Sequence, residues 1–283
     1  MNYEQQLEQL IVNALAEDIG DGDHSTLASI PPDAKGKAVL KIKEDGILAG
    51  VEVAQKIFQH MEPGIIFHAN KKDGDAMEYG ETAFEVSANV HTILQCERLV
   101  LNCMQRMSGI ATLTNQYVKK LRGFHTRLLD TRKTTPNFRL LEKEAVRIGG
   151  AVNHRFGLYD MIMLKDNHID YCGGIEKAIN KAYAYVQKQK PGLKIEVETR
   201  SIDDVRKVLA VGKVDRIMLD NFDPTQISEA LELIKGKYET EASGGINLNN
   251  IEAYAATGVD FISSGAIIHQ ARSLDLSLKA VII

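Results

Sequence analysis

The residues that could do chemistry in this 283-residue chain are mostly charged, and they recur at the ends of short apolar runs. In chain order they are Asp130-Thr131-Arg132-Lys133, Lys165-Asp166-Asn167-His168, Glu198-Thr199-Arg200, Asp220-Asn221, Ser243-Gly244-Gly245 and Ser264-Gly265, with His154-Arg155 inside the glycine-rich IGGAVNHRFG. Arg132, Lys133, His154, Arg155, Lys165 and His168, with Arg139 nearby, form a cationic group. Arginine offers a planar fork for carboxylate or phosphate, and lysine a point charge. One such residue is usually a solvated surface charge. Six at one mouth would repel each other unless an anion belonged there. Glu198 and Asp220 end consecutive runs, and two carboxylates beside a phosphate site suit Mg²⁺, a hard cation that takes oxygen ligands. Contact with ribose hydroxyls, acid–base work and internal salt bridges are the alternatives. The small loops at Ser243-Gly244-Gly245 and Ser264-Gly265 suit a phosphate held on backbone N–H groups. Arg98, beside Glu97 in a long helical pattern, reads on spacing alone as an exposed helix charge. No convincing Ser-His-Asp or Cys-His set stands beside these groups. Cys96, Cys103 and Cys172 lack CxxC spacing and read as small buried hydrophobes.

The elements that must position these residues follow from the apolar pattern. Leu7, Leu10, Ile11, Ala14 and Leu15 give a first amphipathic helix, followed by the turn-rich EDIGDGDHST of 17–26. The alternation at 36–48 predicts a hairpin, 51–61 a helix, and 65–68 and 81–87 short strands. A long helix begins near His91 and is expected to bend at Gly109. The second half repeats one unit, an apolar run followed by a helical segment, at 127–130, 161–164, 195–198, 216–219, 238–242 and 261–263. From Glu198 through Asp220 and Ser243 to Ser264 the polar ends are 22, 23 and 21 residues apart. That is the pace of parallel βα units. Six of them, where a complete (β/α)₈ barrel needs eight, predict an incomplete, open barrel. Strand ends in such a barrel converge on one face, so the charged groups would share a mouth. The fold class is therefore α/β, an N-terminal α/β sandwich followed by an open barrel. Residues 1–108 would form the first domain with its linking helix, 109–270 the barrel, and 271–283 a tail packing back on the first domain.

Composition narrows the partners. Lys plus Arg number 34 and Asp plus Glu 38, a net charge of −4, while 122–165 holds nine cations against four acids and is +5. Nucleic acid is not indicated; a small, highly charged ligand is. The longest stretch free of charged residues, Met107 to Val118, is too short to span a membrane, and the acidic N-terminus lacks the pattern of a secretory signal. A cytoplasmic location is expected.

DTRKTTPNFR (130–139), GGAVNHRFG (149–157), LKDNH (164–168), EVET (196–199), LDN (219–221), EASGG (241–245) and EDIGDGDHST together resemble the quinolinate phosphoribosyltransferase family, over about residues 7–270. Asn137 stands where that family usually has Gly, as does Ala151. The resemblance implies phosphoribosyl transfer from 5-phosphoribosyl 1-pyrophosphate to quinolinate with decarboxylation. It also implies Mg²⁺ and a homodimer in which Arg98 reaches into the partner's barrel mouth, with higher assemblies left open. Carried over, Arg132, His154, Arg155 and Lys165 with Arg98 would hold the two quinolinate carboxylates. Thr131 and Lys133 would join the substrate contacts, Lys133 on the phosphoribosyl pyrophosphate. Glu198 and Asp220 would serve its ribose and metal, and Ser243, Gly244, Gly245, Ser264 and Gly265 its 5-phosphate. Lys133, Lys165, Glu198 and Asp220 would be the catalytic set. Nicotinate as acceptor, or a non-catalytic phosphate sensor, would be the competing readings.

Overall fold

The computed structural model describes residues 2–281. Its elements run α1 (Tyr3–Ile19), α2 (His24–Ser29), β1 (Lys35–Ile42), β2 (Gly46–Ile47), α3 (Val51–Met61), β3 (Ile66–Ala69), β4 (Ala76–Met77), β5 (Thr82–Asn89) and α4 (Val90–Lys120). Then come β6 (Arg127–Leu129), α5 (Arg139–Ile148), β7 (Ile162–Leu164), α6 (Asp166–Cys172), α7 (Ile175–Gln189), β8 (Ile195–Thr199), α8 (Ile202–Val211), β9 (Arg216–Asp220), α9 (Pro224–Ile234), β10 (Glu239–Ser243), α10 (Ile251–Ala255), β11 (Phe261–Ser263), α11 (Ala266–His269) and β12 (Leu276–Val281). Two compact units emerge. The first takes the chain up to Asn115, Thr134–Gly150 and everything from Ile268 onward; the second takes Gln116–Lys133 and Ala151–Ile267. No described helix is long and apolar enough to cross a membrane.

In the first unit a four-stranded sheet has the order β12-β1-β5-β3 and is antiparallel throughout. Leu40, Ile42, Phe84 and Val86 are fully buried on one face of it, with Phe58 of α3 against Phe84 at a ring separation of 6.3 Å. The expected hairpin at 36–48 does not form. β1 pairs with β5 and β12, whereas β2 pairs with β4, because Glu44-Asp45 leads the chain out of one sheet before Gly46 enters another. α4 runs on through Gly109, where a Cβ would lie 1.9 Å from the carbonyl oxygen of Arg272, so glycine there admits a neighbouring backbone. Arg106, one turn earlier, donates to that same C-terminal segment at Ile268 O (3.0 Å) and to Glu142 Oε1 (2.9 Å). Glu142 also accepts from Thr135 N at 2.8 Å, fixing the start of the loop before α5. In that loop Asn137 has φ 62°, a left-handed conformation that Asn tolerates better than other residues with a side chain. The Gly-to-Asn departure is thus conformationally matched. Cys96 and Cys103 are buried, and burial pushes both thiols up to about 12, leaving them inert.

The second unit is a six-stranded parallel sheet ordered β6-β11-β10-β9-β8-β7. Each predicted run is a strand, within one or two residues at its ends. Among the described residues β6 and β7 do not pair, so the barrel is open there, as expected; Val152 forms a single parallel bridge with Leu129 of β6 instead. On β8, β9 and β10 the residues alternate. Ile195, Val197, Ile217, Leu219 and Ala242 are 0–2% exposed on one face, and Glu196, Glu198, Arg216, Asp220, Glu241 and Ser243 share the other. The face that carries the chemistry is therefore rich in charged residues, with Met218 the apolar member between Arg216 and Asp220 on β9.

Candidate active site

At the carboxyl end of β6, Asp130 is fully buried and accepts hydrogen bonds from His154 N and Asn153 Nδ2, both at 2.7 Å. It ties the segment 153–155 to the strand end. Thr131 Oγ1 accepts from Lys133 N at 3.1 Å, and the Lys133 side chain is exposed. Arg132 and Arg155 are half-buried. Burial, and next the charge of Arg132, lower the proton affinity of Arg155. Arg155 is itself anchored by Nη1 on Met161 O at 3.0 Å. Two guanidinium groups thus stand close enough for the charge of one to act on the other, an arrangement that an anion between them would relieve.

Across the same strand ends Lys165 precedes α6, its Nζ 3.8 Å from Glu198 Oε2. Burial and then Asp220 raise the Glu198 carboxyl above its ordinary range. Asp220 takes Ser243 Oγ on Oδ1 and Asn221 Nδ2, at 2.7 Å, on Oδ2. Glu198 and Asp220 are oxygen donors of like charge, and the charge of Asp220 opposes ionisation of Glu198. A divalent cation relieves such a pair, so the donor set fits Mg²⁺.

The two small loops belong together. Ser264 Oγ donates to Ile246 O at 3.2 Å, joining the loop after β11 to that after β10, and Ser264 N bonds Leu129 O at 3.1 Å. Gly244 (φ 93°) and Gly245 (φ 64°) both require glycine conformations, and a Cβ on Gly244 would meet Asn221 Oδ1 at 2.2 Å. Since both serine hydroxyls are engaged by protein, these loops offer an anion chiefly backbone N–H groups, together with Gly265 at the next strand end. His168 Nδ1 accepts from Lys165 N at 3.0 Å, closing the first turn of α6. Arg98 lies in the first unit, exposed on α4, and Arg139, in α5, donates to Thr134 Oγ1 at 2.9 Å.

His154 differs from the expectation of a substrate-facing cation. Its side chain is 6% exposed and its Nε2 lies 3.0 Å from Glu196 Oε2 and 3.2 Å from Glu241 Oε2, while Nδ1 accepts from Arg155 N at 2.6 Å. Burial works against charge on this ring, but hydrogen bonds and charge from Glu196 and Glu241 outweigh it and push His154 up to about 9. Arg216 completes the cluster, with Nη1 on Glu241 Oε2 at 3.0 Å, Nη2 on Glu239 Oε2 at 3.0 Å, and its guanidinium 4.2 Å above the Phe261 ring. Glu196 and Glu241 begin the motifs EVET and EASGG without a role assigned to them, and Arg216 lies outside every quoted motif. The available signal was a charged residue in mid-strand, two positions before Glu198 in IEVET, four before Asp220 in RIMLD and two before Ser243 in ETEAS.

The chain matches family models described as quinolinate phosphoribosyl transferase, N-terminal domain over residues 23–108 and C-terminal domain over 110–279. It is 44% identical, over 96% of its length and 82% of the relative's, to a chloroplastic nicotinate-nucleotide pyrophosphorylase [carboxylating] of Arabidopsis thaliana. Identity is 42% over 98% of the chain and 94% of the relative to a probable nicotinate-nucleotide pyrophosphorylase [carboxylating] of Bacillus subtilis. The crystal structure of NadC from Streptococcus pyogenes superposes with a TM-score of 0.90 at 41% identity, covering 98% of both chains.

Proposed function

Because the chain belongs to the quinolinate phosphoribosyltransferase family, it joins quinolinate to 5-phosphoribosyl 1-pyrophosphate in NAD biosynthesis, and we propose that it does so at the carboxyl ends of strands β6 to β11. The products are nicotinate mononucleotide, pyrophosphate and carbon dioxide. The observation that carries this placement is the pair of like-charge crowdings on one strand-end face: Arg132 with Arg155, and Glu198 with Asp220. An anion beside the two guanidinium groups and a cation beside the two carboxylates would relieve both crowdings, and a dianionic pyridine and a magnesium pyrophosphate ester supply them together.

Arg132 and Arg155 grip the quinolinate carboxylates, with Lys165 between that pocket and Glu198. The ring nitrogen brings its own lone pair, so the protein needs no nucleophile. Its task is to hold that nitrogen in line with the anomeric carbon. Lys133 and Thr131 contact the phosphoribosyl pyrophosphate, and the glycine loops hold its 5-phosphate on backbone N–H groups. Glu198 and Asp220 would hold Mg²⁺, which when bound would supply positive charge against the departing pyrophosphate. The same carboxylates tolerate the positive charge that grows at the anomeric carbon. After transfer the ring nitrogen is cationic and draws in the electrons freed when the adjacent carboxylate leaves, and a proton then takes its place on that carbon. In a homodimer, Arg98 of one protomer completes the quinolinate pocket of its partner.

Incubation with quinolinate, phosphoribosyl pyrophosphate and Mg²⁺ should give nicotinate mononucleotide. Nicotinate in place of quinolinate, or excess chelator, should give none. Equal turnover of nicotinate would overturn the assignment of the acceptor.

A further inference from the structure

The segment Asn153-His154-Arg155 has no strand to hold it. It lies on the open side of the barrel, beyond the single bridge at Val152, and it carries one of the two guanidinium groups expected to grip substrate. Side chains do the holding. Asp130 of the neighbouring strand end takes Asn153 Nδ2 and His154 N. From the other side the His154 ring is inserted among residues of three strands: Glu196 of β8, Arg216 of β9 and Glu241 of β10. The ring is also joined to Arg155, whose N–H donates to Nδ1 at 2.6 Å.

The cluster makes electrostatic sense only as a unit. Glu196 and Glu241 are both fully buried, an arrangement that is costly unless cations compensate it. His154 and Arg216 do so, Glu241 Oε2 being shared between His154 Nε2 at 3.2 Å and Arg216 Nη1 at 3.0 Å. His154, Glu196 and Glu241 offer ligand atoms within 4.8 Å of one another, as a metal site would, but Arg216 already occupies the place of the counter-charge. An apolar barrel interior would hold the fold more cheaply; a charged one fixes a direction. What it fixes is the residue before Arg155. A displacement of about 1 Å in a substrate-gripping group can cost on the order of a hundredfold in rate.

Resting on the placement of the quinolinate pocket above, we propose that Glu196 and Glu241 are positioning residues: acting through the His154 ring they set where Arg155 stands toward quinolinate, with Arg216 keeping the buried pair neutral.

The test uses the full-length chain and isosteric variants, Glu196→Gln and Glu241→Gln. Each should raise KM for quinolinate about tenfold while KM for phosphoribosyl pyrophosphate stays within about twofold. In a His154→Gln background, Glu196→Gln should have no further effect, since it would act through a ring no longer present. An unchanged quinolinate KM, equal rises in both KM values, or effects that add in the double variant would each overturn the proposal. A wild-type chain inactive with both substrates would instead overturn the functional reading. Should the variants fail to fold, the wild-type protein still answers by NMR, without turnover. An Nε2 proton held between two carboxylates should give a slowly exchanging, downfield resonance. Its absence would overturn the proposal.

Discussion

Arg132 and Arg155 show how much of a site can be read from residue types and where that reading stops. Both stand out in the sequence because forked cations, one at a strand end and one in a glycine-rich segment, have few uses besides gripping an anion. Either Arg132→Ala or Arg155→Ala should lower kcat/KM for quinolinate by at least about a hundredfold, with the thermal midpoint nearly unchanged; initial rates with a melting curve check both. His154 was legible as a site residue but not in its orientation. Sequence order does not say which of two faces a ring takes, and here two buried carboxylates take it. The consequence is a pH dependence with a definite sign. The folded state holds the imidazolium better than the unfolded chain, whose histidine titrates near about 6.5, so the contribution is complete below that pH and is lost as pH rises through about 9. Glu196, raised by burial and the charge of Glu241, pushes the same way at lower pH. Urea midpoints should therefore fall between pH 6.5 and 9 in the wild type, and a His154→Gln chain should show a flatter profile across that window.

At the scale of elements, the βα repeat was legible because buried parallel strands leave near-continuous apolar runs at a regular pace, and all six are present. The pairing of β1 and the close approach at Gly109 were not, for one physical reason. Local sequence reports local preference, while both outcomes are decided by chain more than a hundred residues away: β12 beside β1, and Arg272 against α4. Glycine as helix breaker and glycine as clearance for a neighbour look alike in a sequence. Their difference is measurable. Gly109→Ala adds a good helix former, yet should destabilise the protein by about 1–3 kcal/mol, because the new methyl has backbone rather than a flexible side chain to displace. A stabilised variant, read from denaturant unfolding, would show that the Arg272 carbonyl can yield. Gly244→Ala makes the parallel case in the glycine loop, where the left-handed conformation and Asn221 both oppose a side chain. Its expected signature is a raised KM for phosphoribosyl pyrophosphate.

For the whole molecule, the net charge of −4 conceals the chemistry, since Arg132, Lys133, Arg155 and Lys165 and the carboxylates of β8 to β10 belong to one barrel and nearly cancel in the sum. Assembly is decided at this scale as well. If Arg98 serves the partner's site, an equal mixture of Arg98→Ala and Arg132→Ala chains, each inactive alone, regains about a quarter of wild-type activity: half of the dimers are mixed, and each mixed dimer has one intact site. Re-folding the two variants together and assaying pyrophosphate release decides it; a mixture as inactive as its parts would place Arg98 outside the partner's pocket. The first unit has a further property set by its own last strand. Lys37 of β1 pairs with Val281 and Ile42 with Leu276, so an edge that β1 exposes early in synthesis is covered only by residues made after the whole barrel. The sheet is completed only after the barrel, and throughout translation of the barrel β1 presents an open ladder of backbone groups to any other chain nearby. A chain cut short before Leu276 would retain every residue of the proposed site and still fail, by pairing with its neighbours instead of with itself.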